Sequence, residues 1–564
     1  MADQEFSVTP LTPVESLTQF LGANSDALST AVRCAVTDIT CATVTWFGAD
    51  NTGVEDSSPA IADALAFLPA EGGVIYFPEG SYTALNIDVP NGVRFVGSGI
   101  SSTKITALGE ENATNHLFNR QSTAAITFGG IEHMTLQGGV GEGIGVRSAY
   151  NGVHLRNSVG FAGEDYGRFI MDNVLTTGFR VGVHGTVDDR HLATHNSYYR
   201  NCETCLFITH HCEFMGKNDF RHSDYGIGHG AIRPKAEGGT SGLFDQGVSN
   251  LKVSTDYGIW PLSYDDNNDI HTNTYAGINN EPLLPMRACN LSDCLFSNKY
   301  ASIAIGDWMT VSGNQFIHFN DSCRGFIFIG GPDEANSFKH IEIGQNSYRA
   351  NRSGVSKLPL NTITSPTEDI FGNSVSVAGS DIDGACIVID ASNGLPTNIT
   401  IDGGSFDFDD CLGGSMSMVR IQDSSDIVNP PAPWFLNIGN LTWRHKPTGT
   451  ADYQLIVCDT PNMKVNMSQI HNNSVWIDSN AGGVKSVIQI DSTSATFPVD
   501  YSENLLRVDV GGRYAIEAEA EDGTIVNNRV FHGAGFNFSG FDANCTISAN
   551  PTDGVRAAGN IYNS

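Results

Sequence analysis

The stretch from Phe47 to Tyr82, FGADNTGVEDSSPAIADALAFLPAEGGVIYFPEGSY, decides the fold. It opens on a turn cluster, Phe47-Gly48-Ala49-Asp50-Asn51-Thr52-Gly53, whose glycines and Asp-Asn pair tolerate backbone angles closed to most residues. Ser57-Ser58-Pro59 then starts a helix, with a Ser placed to cap it and Pro at an early helical position. Ile61, Leu65 and Leu68, joined by Ala62 and Ala64, give that helix one apolar face. Gly72-Gly73 ends it, and Val74-Ile75-Tyr76-Phe77 is a short β-rich run closed by Pro78-Glu79-Gly80.

Outward from this unit, beyond Val93, the chain repeats imperfectly. Short apolar-alternating runs end in an Asn, Asp or Gly turn and lead to another apolar residue, as in Ile131–Gly139, Phe169–Val174, Met309–Phe316, Ile341–Tyr348 and Ile399–Phe406. Asn314 and Asn346 are 32 residues apart (346 − 314), and Asn173 and Asn201 are 28 apart (201 − 173). Periods of this length mark stacked repeats, in which each coil buries its inward side chains only against the coils above and below. A β-sandwich would need hairpin turns at shorter regular intervals.

The Phe47–Tyr82 unit resembles the entry segment of the pectate-lyase-like superfamily, the right-handed parallel β-helices that include bacteriophage tailspikes. The resemblance is specific over about residues 45–100 and architectural over about 100–440. It implies an all-β parallel β-helix solenoid, homotrimeric, with a short N-terminal head segment (1–45) that attaches to the virion tail, baseplate or adaptor proteins. The helix is expected over 46–440, with its entry motif at 46–92. A β-rich C-terminal region (441–564) would trimerise or cap it. The implied function is recognition, and depolymerisation by endoglycosidase-type hydrolysis, of a bacterial capsule or O-antigen. A polysaccharide lyase on the same fold and a binding-only fibre are the alternatives.

Composition narrows the partners. Acidic residues outnumber basic ones 62 to 31, giving a net charge of −31. No Lys/Arg cluster large enough to displace nucleic-acid counterions is visible, so nucleic acid is excluded. The acidity suits solubility, and also a surface that meets neutral sugars or binds cations. The first 26 residues lack a basic region and apolar core, and no run approaches a membrane span, so neither a Sec signal nor membrane insertion is expected. The twelve cysteines form no compact framework, which fits folding in a reducing cytoplasm; sequons such as those at Asn290, Asn398 and Asn544 then reflect composition.

Chemistry has to be sought among carboxylates and aromatics, because no nucleophile elbow, metal helix or P-loop is present. A glycosidase needs one carboxyl group as acid and another as base or nucleophile. The candidates are Glu213, Asp219 and Asp224 in one segment, and Asp307 and Asp321 in another. Residues 226–285 interrupt the repeat and read as a loop insertion that walls a groove. There Tyr257, Trp260, Tyr264 and His271, with Asp256 nearby, offer stacking and hydrogen bonding to sugar, and Trp308 adds a further face beside Asp307. Trp260 could equally anchor the loop. No cofactor is expected. Asp265–Asp269 carries oxygen ligands of the kind Ca²⁺ takes, without the Gly and Glu of an EF-hand. Cys202, Cys205, His210, His211 and Cys212 are N/S ligands of the kind zinc takes, but the intervening Leu206-Phe207-Ile208 reads as an inward strand, which favours buried thiols.

Overall fold

The computed structural model describes residues 40–108, 115–120, 128–138, 151–155, 168–185, 192–208, 212–229, 248–264, 270–271, 286, 289–298, 301–306, 308–318, 325–329, 340–350, 384–390, 398–409, 416–422, 435–446, 453–458, 468–477, 487–490, 499–508, 516–518, 523–532, 555–558 and 561–563. Most coils present three strands, the first two fused into one in several of them, and these pair in parallel with their equivalents in the next coil. Leu192–His195, Tyr198–Arg200 and Thr204–Ile208 form one coil. Cys212–Met215, Asn218–Arg221 and Tyr225–His229 form the next, in register Leu192↔Cys212, Tyr198↔Asp219 and Thr204↔Tyr225. Stacking these coils builds a parallel β-helix with a first, second and third wall.

Period-2 alternation decides what lies inside. On the second wall the inward column runs Tyr199, Phe220, Val253, Phe296, Phe316, Tyr348, Phe406 and Trp443. Within it, Tyr199 stacks on Phe220, and Phe296, Phe316, Tyr348 and Phe406 form one continuous stack with centroids 4.6–5.2 Å apart. The rung spacing of a sheet, about 4.8 Å, is also the distance at which rings stack, so identical positions on successive coils reinforce one another.

The corner between the first and second walls is held by residues in the left-handed region: Asn173, Asn196, Asn250, Asn440, Asn472 and Asn527, with Gly216, Gly313 and Gly403 in the same place. Asn enters that region because its short amide bonds locally. The next residue points inward and in several coils is also Asn. Asn314 donates to Asn346 Oδ1, and Asn473, Asn504 and Asn528 form a second amide ladder. The 32-residue spacing is therefore a true coil. The 28-residue spacing is not: register puts Asp172 beside His195, so Asn173 stacks on Asn196, and Asn201 belongs to the corner between the second and third walls.

The entry unit differs in detail from expectation. The helix spans Ser58–Phe67 and buries Ala60, Ile61 and Ala64, with Leu65 and Leu68 partly buried and Ala62 exposed. Ser57 makes no side-chain cap; instead its hydroxyl donates to the Asp50 carbonyl, and Asp56 Oδ1 accepts the Ser58 N–H at 2.8 Å. The helix ends at Phe67, ahead of Pro69. Gly72 serves a different purpose, since a Cβ there would lie 2.2 Å from the Gly92 carbonyl oxygen.

Three boundaries move. Strand Cys41–Thr43 pairs with Gly73–Phe77, so the solenoid begins before residue 46. Strand Phe435–Lys446 runs through the position assigned to the end of the coils, and parallel rungs continue to Ile561–Asn563. The strand after residue 441 and those before it therefore belong to one parallel stack. Nor is 226–285 wholly an insertion, because Leu251–Ser254 and Tyr257–Pro261 stack as ordinary rungs.

Candidate active site

The proposed acids fall on different walls. Glu213 stands on the first wall, opposite Ala193 in register. Asp219 stands on the second wall, where both its oxygens are taken by Arg221, Nε donating to Oδ1 at 2.6 Å and the guanidinium's second arm donating to Oδ2. Arg221 is pushed up by that pairing, which identifies a structural ion pair. Asp224 sits at the corner between the second and third walls. These three cannot meet around one glycosidic bond. Asp307 and Asp321 lie outside the described residues.

Asp224 instead belongs to a ladder. Each third-wall strand is preceded by one corner residue, and the backbone bonds Thr204 N–H to Arg180 O (2.9 Å), Tyr225 N–H to Glu203 O (2.8 Å) and Tyr257 N–H to Asp224 O (2.7 Å) align these residues. With Asp256 preceding Tyr257, the column reads Arg180, Glu203, Asp224, Asp256. Arg180 Nε donates to Glu203 Oε2 at 3.3 Å. All three carboxyl residues are half-buried at the surface, and adjacent rungs place them about 4.8 Å apart along the axis. That spacing is close to the about 5–5.5 Å that separates the carboxyl groups of a retaining glycosidase.

Beside the ladder, Tyr225 and Tyr257 stack at 5.2 Å and 16°, and Trp260 tilts against Tyr257 at 5.1 Å. Burial, then Tyr257 and the carboxylates Asp224, Glu203 and Asp256, holds the Tyr225 hydroxyl well above the usual phenol range, so it stays a hydrogen-bond donor. The half-buried Tyr257 thus joins Asp224. Trp260 does not face sugar: it is 2% exposed and packs edge-on to Phe328 at 5.5 Å, so it supports Tyr257 from behind.

The remaining candidates lie elsewhere. Trp308 is exposed, with positive φ, at the corner between the third and first walls, its ring 4.8 Å from that of His340. The backbones of Tyr264 and His271 flank a two-rung antiparallel pairing, Ser263↔His271 and Tyr264↔Ile270. Their side chains, and Asp265–Asp269 between the strands, lie outside the described residues. So do His210 and His211. Cys202 donates its thiol to the Arg200 carbonyl at 3.2 Å, Cys205 donates to Ser223 Oγ at 3.1 Å, and burial pushes the Cys212 thiol up. Among the described residues no group of three or more His, Cys, Asp or Glu side chains converges as a metal site. No helix of the described residues is long and apolar enough to cross a membrane.

Glu203 and Arg180 are the members that sequence inspection missed. Glu203 lies 21 residues before Asp224 and Asp256 lies 32 after it, so no fixed spacing announces the column. A second acidic pair, Glu132 and Asp172 on neighbouring first-wall rungs, is less available because Arg94 binds Glu132 with two donors.

Residues 42–228 match the rhamnogalacturonase A/epimerase, pectate-lyase-like family. The match takes in Arg180, Glu203 and Asp224. No curated protein matches the chain by sequence. Among solved structures, the chain is similar to the catalytic unit of a thermostable α-1,3-glucanase from Streptomyces thermodiastaticus, with 16% identity, TM-score 0.36, and 93% of this chain and 69% of that one covered. It is also similar to the tailspike of Escherichia coli bacteriophage HK620 in complex with a pentasaccharide, with 10% identity, TM-score 0.35, and 92% and 78% covered. A mannuronan C-5 epimerase module from Azotobacter vinelandii shows 12% identity, TM-score 0.26, and 93% and 99% covered.

Proposed function

We propose that this chain is a phage tailspike that binds a bacterial surface polysaccharide and cleaves it by hydrolysis at the Glu203–Asp224–Asp256 ladder. The observation that carries the reading is three carboxyl residues on consecutive rungs, next to a stacked tyrosine pair at the surface. Glu203, whose charge Arg180 compensates, attacks the anomeric carbon as the leaving oxygen departs, and Asp224, deprotonated by that departure, then activates the water that hydrolyses the glycosyl-enzyme bond. Asp224 donates the proton to the leaving oxygen, and the Tyr225 hydroxyl hydrogen-bonds a sugar oxygen. Tyr257 supplies an aromatic face for pyranose C–H groups. The entry motif adds the setting: a homotrimer on the virion tail, attached through residues before the first rung.

Incubating the protein with polysaccharide from candidate host strains and measuring new reducing ends tests the reaction. Hydrolysis raises reducing ends without the absorbance of an unsaturated sugar, whereas a lyase raises both. Asp224→Asn and Glu203→Gln are expected to lower turnover by about a hundredfold or more while leaving oligosaccharide affinity within a few-fold. Full turnover in both variants overturns the assignment of the site. Adjacent-rung spacing further predicts retained anomeric configuration, read by NMR of the first product; inversion would move the pair to Glu203 and Asp256, two rungs apart.

A further inference from the structure

The excess of acidic residues is not evenly spread. The outward column of the second wall that contains Asp219 in register also carries Lys104, Lys252 and Arg529. The parallel outward column carries Arg200, Arg221 and Arg349 among its described side chains, with Asp56 its one acidic residue. Among the described side chains that is six basic positions (3 + 3) against two acidic ones, Asp219 and Asp56, in a chain whose overall ratio is 31 to 62. Asp219 is already neutralised by Arg221. The first wall is the opposite, with Glu132, Asp172, Glu213, Glu342, Asp402 and Asp500 on its outward positions.

Aromatics are interleaved with these cations. In register, the column of Arg349 continues to Trp476 and, two rungs beyond, Phe531. Arg200 lies 5.9 Å from the centre of the Tyr198 ring on its own strand. Cations repeated along the solenoid axis, with ring faces among them, form a track for a long polymer bearing both negative charge and sugar C–H surface. We infer that the second wall is a binding track for a carboxylate-bearing polysaccharide, which makes the glycan recognised by this tailspike an acidic one. This rests on the polysaccharide reading above and deepens it. Obligate subunit contacts are apolar at their centre, whereas the described outward positions here are mostly Ser, Thr, Gln, Lys and Arg, so a glycan fits the wall better than a second copy of the chain.

The test measures binding rather than cleavage, using the full chain carrying Asp224→Asn so that substrate is not consumed. Hyaluronan and polysialate serve as polyanions and dextran as the neutral polymer, read by affinity electrophoresis. A protein of net charge −31 would repel the first two unless a local track binds them. Retardation by at least one polyanion and not by dextran is expected at low salt, with affinity falling about tenfold or more as salt rises from about 50 to about 200 mM. The triple variant Arg200→Gln, Lys252→Gln, Arg529→Gln should lose about tenfold or more of that affinity at an unchanged melting temperature. If it unfolds, Lys104→Gln with Lys252→Gln replaces it. No retardation by either polyanion at low salt, or equal retardation of wild-type and variant, overturns the inference. So does a change in light-scattering mass without a change in retardation, which would assign the cations to a subunit contact. Cleavage of a neutral glycan without polyanion binding would sink this inference alone, and polyanion binding without cleavage of any glycan would sink only the hydrolytic reading.

Discussion

Asn504 shows how single side chains hold the coils in register. Its Nδ2 donates to the Ile470 carbonyl and to Asn528 Oδ1, both at 2.9 Å, while its Oδ1 accepts the backbone and side-chain N–H groups of Asn473. Asn504→Ala leaves those buried groups without partners, at about 1–3 kcal/mol each. A loss of about 2–4 kcal/mol is expected in equilibrium urea unfolding, against a near-neutral Asn472→Gly at the exposed corner beside it. Asp50 works at the entry turn, where its carboxylate accepts the N–H groups of Thr52, Val54 and Glu55 and the Thr52 hydroxyl at 2.7–2.9 Å. The Glu55 N–H first, then the Thr52 donors, holds this carboxyl well below the usual range. A depressed folded-state value stabilises above the unfolded value, about pH 3.9, and the contribution disappears as pH falls through the folded value. Asp50→Ala should therefore lower the melting temperature at about pH 7, with the gap to wild type narrowing at about pH 2.5. An unchanged gap at both pH values would remove the carboxylate from the account.

The elements were legible where alternation was clean. Ile341-Glu342-Ile343 and Ile399-Thr400-Ile401 announce adjacent rungs, and the structure pairs them residue for residue. The corners were not legible, because a coil here ranges from 20 residues (Leu192 to Cys212) to 58 (Ile341 to Ile399), and an Asn can serve either of two corners. The candidate site suffered from the same ambiguity. Asp224 and Tyr257 could be named from the sequence, but Glu213 and Asp219 looked equally good until strand register put them on other walls. Glu203 becomes a neighbour of Asp224 only through the stacking of Thr204 on Tyr225. The stack that defines these elements is itself testable. Tyr348 is buried with Phe316 on one face and Phe406 on the other, at 5.2 and 4.6 Å. Tyr348→Ala should cost about 3–5 kcal/mol, with Tyr348→Phe close to wild type because the ring contacts remain. Comparable losses in both would mean that the hydroxyl, not the stack, carries the stability.

At the scale of the whole molecule, stability is approximately a sum over neighbouring coils, so both ends of the solenoid matter more than their length suggests. At the start, Ala42 and Val44 are fully buried and Cys41–Thr43 pairs with Gly73–Phe77. Removing residues 1–39 should preserve the melting temperature and glycan cleavage while abolishing incorporation into virions, whereas removing 1–45 should destabilise the entry unit. At the other end, two ideas predict different outcomes. If 441–564 were a separate trimerisation region, a chain ending at Lys446 would remain a folded, soluble monomer. The structure instead continues the inward column past Trp443 through Val475 to Leu506, and the amide ladder through Asn473, Asn504 and Asn528. Ending the chain at Lys446 would strip the rung that covers Trp443 and open the edge of Phe435–Lys446, a long strand of the kind that templates aggregation. Aggregation or a large drop in melting temperature is therefore expected for the chain ending at Lys446, while the full chain of 60.4 kDa should scatter light as a trimer. A truncated chain that stays soluble, monomeric and as heat-stable as the parent would show that the coils after Lys446 serve assembly and not the core.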